Sequence, residues 1–484
     1  MNISVISKLF FVVAMVLTNA FSAGGAQTIT KFQGPNNNPE SPIIIQSSGK
    51  VFLPMISTPI AYYVSTSGSD SNPGTSTRPW RTISKAARVA SAGETVYVRG
   101  GVYSEQVSLA RSGTASAPIN FQAFSNETPI ISGAGLPMTS WSALVNISGS
   151  YITFSGFEVS NSSFIGIILK GTHNVVDRAF AHHSQENGII ITGDYNTVQN
   201  SRVWRNALSN ENGKAGSWSS GLSAARDTAD GQTDYAVMRA NTVWENWGEG
   251  ISSYQANQIT IEGNVSHDNY TGNIYVSDTT NVMIRGNLVY MDPASYVYGK
   301  GSNVGIMLGD EQYNPPSANI TVVNNLAYGN HRNFFWWRGT QGGGMNNVLI
   351  AFNTFVNGSG DGADGNSNVI IGDAKGAHTN VRFMNNIVQQ DSSIYLIGTI
   401  AQPGVTYSHN LWSKAPPSAA SGAGDVIGNP MLSRSGAIST SQWFALSSSS
   451  PAIGKGISLS EVPQDFAGVT RKSPPVIGAL EYHP

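Results

Sequence analysis

From residue 166 onward, apolar and polar positions recur in one short unit: a small or polar residue, a strand of about five residues, and a turn. The copies lead with Gly166, Gly188, Gly221, Gly250, Asn273, Gly305, Asn333, Asn368 and Ser393. Their starts are 22, 33, 29, 23, 32, 28, 35 and 25 residues apart. The shorter steps suit one coil of a stacked β-helix, and the longer ones carry loop insertions. Side chains alternate along a strand, so the first and third residues after each leader share one face. Those positions read Ile167/Leu169, Ile251/Ser253, Ile274/Val276, Ile306/Leu308, Phe334/Trp336 and, in the last copy, Ile394/Leu396. They predict the interior stack. The second and fourth positions, among them Ser252/Tyr254, Tyr275/Ser277, Met307/Gly309 and Phe335/Trp337, then face outward.

Further strands such as Asn257–Ile261 and Asn281–Ile284 lie between the copies, followed by Gly-Asn or Asn-Asn corners at 263–264, 286–287, 324–325 and 385–386. Asn tolerates the left-handed conformation that such corners need, and stacked Asn side chains bond along a ladder. The predicted fold is all-β, a single right-handed parallel β-helix with a short N-terminal capping helix over Arg81–Ala92. An antiparallel sandwich is the alternative, but it calls for hairpin signals and steadier spacing.

The N-terminus has a different pattern. Lys8 precedes an unbroken apolar run, Leu9–Leu17, followed by small residues at Ala20, Ser22, Ala23 and Ala26. This is the layout of a secretory signal peptide over 1–26, with a retained anchor as the alternative; the run is too short to span a bilayer as a helix. Residues 27–60 are Pro-, Asn- and Ser-rich and read as a flexible linker. The β-helix domain is expected over 61–484, with 61–115 as its cap and 405–484 as its closing region. The chain is expected to be secreted.

Composition narrows the function. The net charge is −2, which gives no electrostatic footprint for nucleic acid or an anionic membrane surface. The chain has no cysteine, so disulfides and thiolate metal sites are absent. His182 and His183 lack a spaced third ligand, and no metal site is assigned to them. A monomer is expected.

Tyr62–Thr75, Pro79–Ile83 and Gly93–Tyr103 resemble the opening of many secreted bacterial β-helix enzymes, including family 9 pectate lyases and several β-helix glycosidases. Ser450–Gly454 through Val476–Tyr482 resembles the close of the same group. The resemblance covers about residues 61–484 and is specific for the fold rather than the reaction. The family 9 pattern implies an Asp-Asp pair before a strand glycine, another Asp on the strand and a Lys on a nearby strand. Here the corresponding positions read Gly248-Glu249, Ser252 and Tyr275. Among outward strand positions only Lys170 is a lysine.

The turns after the strands carry Arg226-Asp227, Asp278, Asp310-Glu311, Arg338 and Asp373, which adjacent coils would stack into one column of carboxylates. Like charges so placed raise the pKa of some members, and this lets one carboxylate act as acid while another stays ionised. The bland alternative is that Asp simply suits turns. Asp227, Glu249 and Asp310 are therefore the catalytic candidates. Arg226, Trp247, Tyr254, Tyr275, Asp278, Glu311, Trp337, Arg338 and Asp373 are the candidates for binding a sugar, whose apolar face suits the aromatics. Two chemistries compete. Glycoside hydrolysis by the pair Asp227 and Glu249 needs no cofactor and is the expected reaction. A polysaccharide lyase acting on a uronic acid is the alternative, with Ca²⁺ held by the acids. A non-catalytic carbohydrate-binding or adhesion module is a third reading.

Overall fold

The computed structural model describes residues 61–214, 218–226, 231–312, 314–339, 342–360, 367–372, 377–399 and 403–483. The expected signal peptide and linker lie outside them, as do Asp227 and Asp373.

Every pairing between strands in the two large sheets is parallel, which rules out the sandwich. Successive coils stack in the register that the repeat predicts. Ile167, Ile189, Leu222, Ile251, Ile274, Ile306, Phe334 and Val369 pair in turn along the broader sheet. All eight are fully buried, and together with the third-position residues they form one continuous core. Each such aliphatic side chain contributes about 1.5–3 kcal/mol through burial. The one polar member, Ser253, is satisfied within the core by Thr279, with oxygens 3.2 Å apart.

The last copy departs from the prediction. Ile397, not Ile394, pairs with Val369, and Tyr395 is exposed. The run Ile394-Tyr395-Leu396-Ile397 is apolar in both phases, so alternation alone does not set its register.

The corners explain the Asn content. Asn241, Asn264, Asn287, Asn325, Asn353, Asn386 and Asn410 form a buried ladder, each side-chain amide donating to the next Oδ1 at 3.0–3.2 Å. A second ladder runs through Asn206, Asn246, Asn269, Asn273, Asn330, Asn333 and Asn368 at 2.7–3.1 Å. These bonds satisfy backbone groups that a tight corner would otherwise bury without partners.

The capping helix spans Ile83–Val89, inside the predicted segment; Thr82 caps it by accepting the Lys85 N–H at 3.0 Å. Its buried residues Ile83, Ala86 and Ala87 join the core at the N-terminal end.

Candidate active site

The outward positions of the broad sheet are largely buried. Ser252, Tyr275, Met307 and Phe335 pair in turn on neighbouring coils, and each is less than a tenth exposed. Tyr275, Met307 and Phe335 form a small apolar cluster of their own with Val304 and Ile370. A cavity of about 430 Å³ opens over this cluster. Its polar lining is Glu249, Thr271, Ser302, Glu311 and Arg332, and Trp218 and Trp337 stand exposed at its mouth.

Glu249 is the first residue of the strand Glu249–Glu262 and leans into this cavity. It is only 6% exposed, so it is not a solvated turn residue. Burial pushes its carboxyl up to about 7, and the nearby Glu311 adds to the rise. The Ser220 hydroxyl donates to Glu249 Oε2 at 3.1 Å and partly offsets that rise. One coil on, the Tyr275 hydroxyl donates to Glu311 Oε1 at 2.6 Å. Burial raises both the Tyr275 phenol and the Glu311 carboxyl above their ordinary values. Arg332 enters from the turn before the strand Phe334–Trp337, with its guanidinium carbon 5.0 Å from the centre of the Phe335 ring. The buried Thr271 hydroxyl finds no hydrogen-bond partner among the described residues, leaving it available to a ligand.

Several expectations need correction. Asp278 and Asp310 do share an edge, but both are fully buried and hold backbone. Asp278 accepts the N–H groups of Glu311 and Gln312 at 3.1 Å. Asp310 Oδ1 accepts the Ser317 N–H at 2.7 Å. Burial pushes Asp310 up to about 6, yet it does not line the cavity. Of the column's described members, Asp278 and Asp310 are thus corner structure, with Asp278 positioning the backbone of Glu311. Trp247 is not a sugar platform: it is 1% exposed, packed with Ala207, Met291 and Val297. Tyr254 is half-buried, and its phenol is raised chiefly by burial. Arg226 and Arg338 are exposed beyond the strand ends. Of the candidates, the structure therefore brings together Glu249, Tyr275, Glu311 and Trp337. Arg332, Trp218 and Thr271 join them. Arg332 was legible in principle, because it precedes its strand on the same edge as Glu249.

A family described as the Pel9A-like right-handed β-helix region matches residues 62–353. The chain belongs to this family. Pectate lyase L of Dickeya chrysanthemi is 27% identical to this Pel9A-like chain over 338 residues, covering 65% of this chain and 75% of the relative. Pectate lyase PEL9 of Emericella nidulans is 25% identical over 290 residues, covering 56% and 68%. The crystal structure of pectate lyase Pel9A superposes with a TM-score of 0.56 at 22% identity, over 89% of this chain and 98% of that one, which shows the shared fold. Family membership places the protein among carbohydrate-active β-helix enzymes. It also corrects the expected reaction: the relatives carry lyase names, so the glycoside hydrolase reading built on Asp227 and Glu249 is withdrawn.

The lyase resemblance implies calcium, and the described residues do not fit it. Among them no three His, Asp or Glu side chains converge as metal ligands. Two of the positions where the family pattern has acids hold Gly248 and Ser252, and Asp278 is already occupied by backbone N–H groups. The cation that lines the cavity is Arg332.

Proposed function

We propose that this protein is a polysaccharide lyase that cleaves a uronate-containing polymer of the pectate class by β-elimination. The observation that carries the reading is the convergence on one cavity of a buried carboxyl poised near neutrality, Glu249, a hydrogen-bonded phenol–carboxylate pair, Tyr275–Glu311, and the Arg332 guanidinium.

Elimination across C4–C5 of a uronate needs three things: charge neutralisation at the C6 carboxylate, a base for the C5 proton, and an acid for the departing O4. Arg332 meets the first need, since a guanidinium pairs with a carboxylate in fork geometry and renders the C5 proton more acidic. Ionised Glu249 takes that proton; its pKa of about 7 makes it a stronger base than an ordinary carboxylate while leaving it ionised above neutrality. The C5–H electron pair becomes the C4=C5 double bond, the C4–O4 bond breaks, and Tyr275 delivers its phenol proton to O4. Glu311, on which that phenol is held, keeps the ring oriented in the ground state. Trp218 and Trp337 offer apolar faces to the sugars on either side. The reading places the protein outside the cell after removal of a leader ending near residue 26, which N-terminal sequencing of protein from culture medium would check.

The test is incubation of the purified chain with de-esterified pectate, following the ultraviolet absorbance of unsaturated uronates. Absorbance should rise with wild type, and Glu249→Gln and Arg332→Ala should each lower the rate by roughly 10²–10⁴-fold. Wild-type rates in both variants would refute the assigned roles.

A further inference from the structure

A second polar cavity lies on the same face of the same sheet. It encloses about 320 Å³ and is lined by Gln106, Ser108, Asn146, Ile168 and Lys170, among others. Ser108, Asn146, Ile168, Ile190, Ser223, Ser252 and Tyr275 pair in turn, so one outward lane runs from this cavity to the proposed active site. Ile168 is four steps from Tyr275 in that series. At about 4.8 Å per step the separation is roughly 19 Å. A glycan chain advances by a similar distance with each sugar, so a polymer lying along the lane would place about one sugar per coil.

We infer that this cavity is a distal subsite for a uronate residue of an anionic polysaccharide, several sugars away from the bond that is cut. Its chemistry is that of a sugar site. Asn146 Oδ1 is buried with no hydrogen-bond partner among the described residues, an acceptor that sugar hydroxyls would satisfy. Lys170 is exposed just past its strand; its backbone N–H donates to the Ile147 carbonyl at 2.9 Å, while its ammonium makes no hydrogen bond or ion pair with a described residue and is open to a carboxylate. Ile168 and its neighbours Ala143, Ile165 and Ile190 form an apolar floor for a pyranose face. Gln106 is fixed by donating to the Ala143 carbonyl at 2.9 Å, which keeps the wall in place. Arg226, exposed past the strand Ser220–Ala225, continues the positive charge along the same edge toward the active site.

The inference rests on the lyase reading for its kinetic consequence but not for binding, and the two fail separately. Lys170→Glu should lower the ratio of kcat/KM on long pectate to kcat/KM on a trigalacturonate by about fivefold, the factor an exposed charge contact supplies. It should also weaken binding of a galacturonate decasaccharide to the Glu249→Gln protein by a similar factor in titration calorimetry at low salt, with Lys170→Arg restoring most of it. If wild type proves to have no eliminase activity, the calorimetry still reads the subsite. Unchanged decasaccharide affinity in Lys170→Glu overturns it, whatever the reaction.

Discussion

Replacing Glu249 by Gln separates stability from chemistry. The carboxyl is raised from an ordinary value of 4.5 to about 7 because burial disfavours its charged form. A folded-state pKa above the unfolded value means that the stabilising contribution is complete below pH 4.5 and is lost as pH rises through 7. A shift of that size corresponds to at most about 3–4 kcal/mol, at about 1.36 kcal/mol per unit. Gln is nearly isosteric and never ionises, and its carbonyl can still accept from Ser220, so the variant avoids the loss. At pH 4, below the unfolded value, the two proteins should melt together. At pH 8.5 the variant should melt higher by about 4 °C, since about 2.1 cal/mol/K per residue over a domain this long gives a melting entropy near 0.9 kcal/mol/K. Differential scanning calorimetry across that pH range, at one scan rate, measures the difference. Melting temperatures that stay equal at both pH values would show that Glu249 is not held above its ordinary value, and the argument for it as a base near neutrality would fall.

The remaining predictions test other parts of the account. Ile274→Asp buries an unpaired charge in the fully enclosed stack, at a cost of several kcal/mol, and should yield aggregated or unfolded protein by circular dichroism; a soluble variant with an unchanged melting curve would contradict the strand phase. Asn287→Leu removes the acceptor for the Asn264 backbone and side-chain N–H groups and the donor to the Ile261 carbonyl, so it should lower stability by at least about 2 kcal/mol in urea unfolding. EDTA should leave the initial rate on pectate within about twofold, since charge neutralisation of this size falls to Arg332 in the proposal; a rate abolished by chelation and restored by Ca²⁺ would put a metal in the site.

The fold was open to reading because its cause is local and repeated. Eight of nine copies stack in the register the alternation implies, and the ninth fails where Ile394, Leu396 and Ile397 offer both phases. The site was only half legible. Glu249 and Tyr275 could be placed because they sit at or beside strand positions of known phase. Asp278 and Asp310 misled, because a turn Asp that accepts backbone N–H groups has the same sequence signature as one that faces a substrate. Trp247 misled for a related reason: the segments packed over it, around Met291 and Val297, come from a distant insertion that no local pattern reveals. Arg332 could have been placed by the same edge logic as Glu249, whereas Trp218 reaches the cavity from an insertion, where periodicity gives no direction.

Elimination and hydrolysis leave products that differ by one water, and that difference tests the central claim most directly. Mass spectrometry of the oligosaccharides released from de-esterified pectate should show new non-reducing ends lacking one water relative to hydrolytic fragments, with no heavy oxygen incorporated when the reaction is run in ¹⁸O-water. Fully hydrated fragments carrying ¹⁸O at the cleaved linkage would contradict the lyase assignment.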